Sequence, residues 1–161
     1  MRHGLIVKMA QTRRNDSSQL AYFQGSLLMT PSPLERWHAL VAQRDATALP
    51  ALLADDVIFY SPVLQAPQVG QPLTVRYLTA AMTVLGNASF RYVRQIVGPQ
   101  EAMLEFVVEL DGVAVNGVDL LRWNEAGLIV EFKVMLRPLR AIHIVSRRML
   151  ATLERIAERE R

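Results

Sequence analysis

Cysteine is absent from all 161 residues, which excludes disulfides, thiolate zinc sites and cysteine nucleophiles at once. A chain without it suits a reducing compartment, and the cytoplasm is the expected location. Long apolar runs are missing as well; none approaches the ~18 residues that a membrane-crossing helix needs. The three histidines, His3, His38 and His143, are scattered without the i, i+3 or i+4 spacing of a helical metal site, so no metal is expected. There is no Gly-rich phosphate loop, no dinucleotide fingerprint and no Gly-x-Ser-x-Gly elbow. Those gaps argue against ATP and nicotinamide chemistry and for a protein that uses no cofactor. Strong net charge is lacking too, at +3. Residues 1–30 hold four Lys/Arg against one Asp, residues 31–137 hold eight against eleven acids, and residues 138–161 hold six against three. The basic excess sits at the two ends and the central body is mildly acidic, the reverse of what a nucleic-acid-binding body requires.

What is present is a soluble composition, 51% hydrophobic and 20% charged, on a length that suits one domain plus a tail. One stretch dominates, from Met103 to Pro138. It divides into three strands, Met103–Leu110, Val113–Asn124 and Leu128–Arg137, joined by Asp111-Gly112 and by Asn124-Glu125-Ala126-Gly127. Asp-Gly and a short loop ending in Gly are strong hairpin signals. Alternation then sorts the side chains. One face collects Leu104, Phe106, Val108, Leu110, Val115, Gly117, Asp119, Leu121, Trp123, Val130, Phe132, Val134 and Leu136. The other carries Glu105, Glu109, Asn116, Arg122, Glu131, Lys133 and Arg137. Asp119 is the single carboxylate on the apolar face.

Residues 1–30 show no sustained periodicity and read as a disordered tail, with no secretory signal and with Met29 as an alternative start. The domain is expected over residues 31–161. Ser32, Pro33 and Glu35 spell a helix start with a capping box, followed by Leu34, Trp37, Leu40 and Val41 on one face to about Arg44. Asp45 opens a second short helix, Ala46 to Ala54, with a kink or late start at Pro50. Asp55-Asp56 ends it in a turn, and Val57 to Tyr60 is a short strand. Residues 63–72 read as a loop, 73–85 as a helix, 90–97 as a strand. After Pro138 a long amphipathic helix carries Ile142, Val145, Met149, Leu153 and Ile156 along one stripe. Its interleaved glutamates and lack of aromatics favour docking on protein over an anionic membrane surface.

This order resembles the nuclear transport factor 2-like superfamily, in its SnoaL-like branch. The resemblance is carried by Arg44-Asp45, Leu52 to Phe59, Ser61-Pro62, Gly70, Asn116 to Trp123, Gly127 to Phe132 and Val134 to Leu139. It implies an α+β cone, a curved antiparallel sheet wrapped around N-terminal helices, with a C-terminal helix added. It also implies a deep pocket and a homodimer formed through the outer sheet face. The expected function is binding of a small apolar molecule, with cofactor-free acid/base chemistry of the isomerase, cyclase or hydratase type as one use. The alternative is a dimerisation or scaffold domain with a vestigial pocket, which a filled cavity would indicate.

Asp119 is the leading candidate, because burial raises a carboxylic acid toward the range useful for proton transfer. The competing view ties it by hydrogen bonds to the first helix, at Trp37 or His38, as a packing element. Tyr60 and Tyr92 are candidate phenol donors, with Tyr60 placed at the pocket rim. Trp37, Phe59, Phe106, Leu121, Phe132 and Val134 are the expected pocket lining. His38 is expected in solvent. Asp55-Asp56 is assigned to capping, although a ketosteroid isomerase-like mechanism would need a second acid and Asp56 is the nearest. Gly117 and Leu121 stand where an epoxide hydrolase of the superfamily would need its Arg and Asp, which argues against epoxide hydrolysis.

Overall fold

The chain enters its fold at a complete capping box. In the computed structural model, which describes residues 31–159 and 161, the Ser32 hydroxyl accepts from the Glu35 N–H at 3.2 Å and the Glu35 carboxylate accepts from the Ser32 N–H at 2.7 Å. With Pro33 at the first position, this starts helix α1 (Pro33–Gln43), which buries Trp37 and Leu40. Such a cap stabilises by about 1 kcal/mol. Arg44 ends the helix in the left-handed region at φ 55°. The tail expected over residues 1–30 lies outside the described residues.

Asp45 then accepts from the Thr47 N–H and opens a six-residue 3₁₀ segment, Ala46–Ala51. The expected helix to Ala54 is corrected here. Pro50 removes a backbone donor and an α-helix does not continue past it; strand β1 (Leu53–Tyr60) begins instead. Asp55 and Asp56 are therefore exposed positions inside β1, not a turn, and they fall where its pairing with β6 shifts register between Leu53 and Ile58.

A two-residue strand β2 (Gln68–Val69) sits within the expected loop, ahead of helix α2 (Gln71–Leu85). The remaining strands are β3 (Arg91–Val97), β4 (Glu101–Leu110), β5 (Val113–Trp123) and β6 (Ile129–Arg137). They form one curved, unclosed sheet in the order β2-β1-β6-β5-β4-β3. All pairs are antiparallel except β1 with β6, so the sheet is mixed. The β4–β5 hairpin turns at Asp111 and Gly112, both at positive φ, the geometry that matches strand twist. From Leu110↔Val113 to Glu101↔Arg122 its register is unbroken. The shared alternation of β4 and β5 thus holds, and Leu104, Phe106, Val108, Leu110, Val115, Asp119 and Leu121 are buried together.

On β6 one expected position fails. Arg122 faces Glu131 but Trp123 faces Ile129, which leaves Val130 as an extra residue. A bulge of this kind reverses the alternation before it. Ile129 is consequently buried in place of Val130.

The C-terminal helix α3 (Leu139–Arg159) buries Ala141, Ile144, Val145 and Thr152 against α2, β5 and β6. Of the expected stripe, Val145 and Met149 pack on the core, while Ile142, Leu153 and Ile156 stay partly exposed. Arg148 adds an ion pair to Asp111 at the hairpin turn. Two clusters make the core. One gathers Trp37, Leu40, Leu49, Phe59, Leu104 and Phe132 under α1 and the 3₁₀ segment; the other gathers Val84, Phe106, Val108, Val115, Ile144 and Val145 under α3.

Gly117 matters at the junction of the clusters. It stands opposite Phe106 across the β4–β5 pair, and a Cβ there would overlap the Phe106 ring. That ring is itself held by Phe90 at 5.3 Å and Tyr92 at 6.4 Å between centroids. Gly117→Ala should therefore destabilise the protein by about 1–3 kcal/mol, the usual cost of overpacking. Denaturant titration measures this; an unchanged midpoint would mean that the ring moves aside freely.

Candidate functional site

A cavity of about 450 Å³ opens where the two core clusters meet. Helix α1 supplies Trp37 and His38 to its wall, β1 supplies Phe59, and α2 supplies Leu78 and Met82. The sheet adds Tyr92, Phe106, Asp119, Phe132 and Val134, and α3 adds Val145 and Met149. The volume falls within the ~300–1,000 Å³ range of small-molecule sites.

Asp119 lies at the centre of β5, between Leu104 on β4 and Val134 on β6, and is 6% exposed. The Tyr92 hydroxyl donates to its Oδ2 at 2.9 Å, and the Trp37 Nε1–H donates to the Tyr92 oxygen at 3.0 Å. The Tyr92 ring is held edge-on by His38 at 5.3 Å and Phe90 at 5.2 Å. His38 in turn contacts Gln95 Oε1 through Nε2 at 3.2 Å. Oδ1 of Asp119 has no hydrogen-bond partner among the described residues.

Burial pushes the Asp119 carboxyl up from its ordinary 3.8 to about 7, and the Tyr92 hydrogen bond opposes that shift without cancelling it. Burial, and then the Asp119 charge, push the Tyr92 phenol well above its ordinary range, so it stays a donor. With Oδ2 taken by Tyr92, a proton on the carboxyl is carried by Oδ1. Near neutrality the cavity thus holds a group that can give or take one proton.

Of the expected lining, Trp37, Phe59, Phe106, Phe132 and Val134 meet at this cavity, while Leu121 is buried in the core outside it. Tyr60 is placed elsewhere. Adjacent residues in a strand point to opposite faces, and Phe59 takes the inner one, so Tyr60 faces away and stacks under the Lys133 ammonium at 4.5 Å. Tyr92 holds the position given to Tyr60. Its place could be inferred from the pairing Tyr92↔Phe106↔Gly117, which puts all three on the inner face. The tie from Asp119 to α1 exists, but it runs to Trp37 through Tyr92. His38 borders the cavity and is only partly exposed. Asp55 and Asp56 are not among the lining residues. Among the described residues no three His, Asp or Glu side chains cluster as a metal site would, and no helix is long and apolar enough to cross a membrane.

Known proteins share this fold. The SnoaL-like domain family matches residues 34–132. Among solved structures, a steroid delta-isomerase from Pseudomonas aeruginosa aligns at 32% identity over 78% of this chain and 92% of its own, with a TM-score of 0.74. A conserved bacterial protein with a cystatin-like fold from Silicibacter pomeroyi aligns at 33% identity over 81% and 88%, with a TM-score of 0.69. An NTF2-like protein of unknown function from Mesorhizobium loti shares the fold at 24% identity over 66% and 88%, with a TM-score of 0.57. No curated protein matches the chain.

The raised carboxyl sets a pH dependence of stability. The native state holds the Asp119 proton more tightly than the unfolded chain does between pH 3.8 and about 7. Its contribution is complete below that window and is lost as pH rises through about 7. At 1.36 kcal/mol for each tenfold in proton affinity, the difference is on the order of 4 kcal/mol. Relative to the wild type, Asp119→Asn should therefore become progressively more stable as pH rises from about 4 to about 8. Denaturation midpoints of both proteins across that range measure it. A difference that stays constant with pH would mean the carboxyl titrates normally.

Proposed function

As this chain belongs to the SnoaL-like branch of the nuclear transport factor 2-like superfamily, we propose that its cavity binds a small apolar carbonyl compound and uses Asp119 for cofactor-free proton transfer. One observation carries the proposal: an open apolar cavity contains a buried acid with one oxygen held by Tyr92 and the other without a partner among the described residues. A protonated carboxyl in such a place donates to a ligand carbonyl, and an apolar surround strengthens that bond. Tyr92, fixed by Trp37, orients the acid. The steroid delta-isomerase from Pseudomonas aeruginosa supports an isomerase-type reaction.

Asp119 is the one carboxylate lining the cavity among the described residues. That favours activation of a carbonyl by a single acid, in the isomerase, cyclase or hydratase manner, over a relay between two carboxylates. A vestigial pocket would be filled by Trp37, Phe59 and Met82. These residues line an open space instead, which supports ligand binding over a scaffold role.

Neutral ketones, steroid ketones included, provide the test. Their affinity should fall about tenfold as pH rises through about 7, because the donated hydrogen bond disappears with the proton. Since the Tyr92 bond lowers the Asp119 pKa, Tyr92→Phe should move that transition to higher pH. Affinity that ignores pH would count against Asp119 as donor. Exchange of the bound ketone's α-hydrogens with deuterated solvent, followed by NMR, separates turnover from binding; Asp119→Asn should slow it by roughly 10²-fold or more. Equal rates in the two proteins would leave a binding module only.

A homodimer through the outer sheet face belongs to the same proposal. That face exposes Ile96 at 61% and Met135 at 54%. Several of its charges are paired within the chain, Glu131 with Arg122 at 3.4 Å and Lys133 at 3.3 Å, and Glu105 with Arg94 at 2.9 Å. Apolar patches among neutralised charges suit a moderately polar interface. Sedimentation velocity should give twice the chain mass at tens of micromolar, and Met135→Asp should lower it. A monomer mass for the wild type at that concentration would reject the dimer.

A further inference from the structure

The neutral polar side chains of the cavity wall are mostly committed to partners within the protein. Trp37 gives its one N–H to Tyr92, and Tyr92 gives its hydroxyl proton to Asp119. His38 bonds Gln95. Asn87 accepts from Ser89 and donates to the Glu109 carbonyl. Ser61, which also lines the cavity, differs. Its Oγ accepts from the Val63 N–H at 3.3 Å, but its own hydroxyl proton has no acceptor among the described residues.

The local sequence aims Ser61 inward. A proline holds the residue before it in extended backbone, so Pro62 carries the alternation of β1 one residue past Tyr60. Phe59 lines the cavity, Tyr60 faces away, and Ser61 returns to the cavity side. Strand pairing also sets its distance from the acid. Phe59 pairs with Phe132 and Tyr60 with Lys133; continued by one residue, that parallel register brings Ser61 beside Val134. Val134 in turn pairs with Asp119. Ser61, Val134 and Asp119 thus form one row across the inner face, and all three line the same cavity. The backbones at its two ends stand two strand spacings apart, about 10 Å, with an apolar side chain between them.

From this row we infer that the cavity takes an elongated apolar ligand with an oxygen at each end, a carbonyl seated at Asp119 and a second acceptor that receives the Ser61 hydroxyl proton. The inference rests on the cavity-binding function proposed above and adds the ligand's second functional group. Ser61 determines specificity here and takes no part in proton transfer. A ligand with one oxygen leaves the Ser61 donor unused, so a second acceptor is favoured wherever the rest of the ligand already fits. Tyr60, next to Ser61 but on the opposite face, serves as an internal control.

Two rigid pairs of probes cover the separation: 4-acetylbiphenyl with 4,4′-diacetylbiphenyl, and 2-acetylnaphthalene with 2,6-diacetylnaphthalene. Isothermal titration calorimetry is carried out near pH 6, where Asp119 holds its proton. The wild type should prefer the diketone of at least one pair by about tenfold, beyond the statistical advantage of a symmetric ligand. Ser61→Ala, and equally Ser61→Gly, should lower that diketone to the affinity of its monoketone. Ser61→Thr, which keeps the hydroxyl, and Tyr60→Phe should both retain the preference. Three results overturn the inference and leave the cavity-binding function standing: equal binding within both pairs by the wild type, a preference that survives in Ser61→Ala, or a loss in that variant that weakens both members of a pair alike. Failure of every ketone to bind the wild type overturns the two together.

Discussion

A carboxyl group in an apolar cavity is the constraint around which this domain is arranged. An isolated charge there is costly, and the protein meets that cost by letting the proton stay and by supplying a hydrogen bond from Tyr92. Trp37 extends the chain to α1. Three elements far apart in sequence, α1, β3 and β5, are thereby registered against one another by two hydrogen bonds. Tyr92 also packs against both core clusters, so the polar chain crosses the line along which the cavity opens. Removing the acid would relieve the electrostatic cost and at the same time release what aligns these parts.

Much of this was legible in the residues, for physical reasons that differ along the chain. The β4–β5 hairpin could be read because alternation, a positive-φ Asp-Gly turn and β-branched content all agree, and Asp119 stood out against that background. The start of α1 was legible from its capping box alone. Bulges were not. One at Val130 and one near Asp55-Asp56 each reverse the alternation, and nothing in composition marks where a strand takes an extra residue. Of the two candidate phenol donors, Tyr60 lies away from the cavity for a simpler reason. Phe59 and Tyr60 are neighbours in one strand and cannot share a face, whereas the pairing that turns Tyr92 inward joins strands that only the fold brings together.

Helix α3 extends beyond the segment that matches the SnoaL-like family, which ends at residue 132. Through Val145 and Met149 it contributes a wall of the cavity all the same. The part of the chain least constrained by the family match therefore helps set what fits inside. Its ion pair from Arg148 to Asp111 ties that wall to the tip of the β4–β5 hairpin, whose strands carry Phe106 and Asp119.

Tyr92 sits on β3, the outermost strand on its side of the sheet, hydrogen-bonded to β4 alone. Marginal strands are where a native sheet opens first. The acid is thus anchored in the interior of the sheet, while its hydrogen-bond donor rides on a rim that can fray. A brief peeling of β3 would withdraw the phenol and let water reach the carboxyl; since burial is the larger of the two influences on it, the acid would then give up its proton more readily. Solvent entry and proton affinity are then two readouts of one local opening.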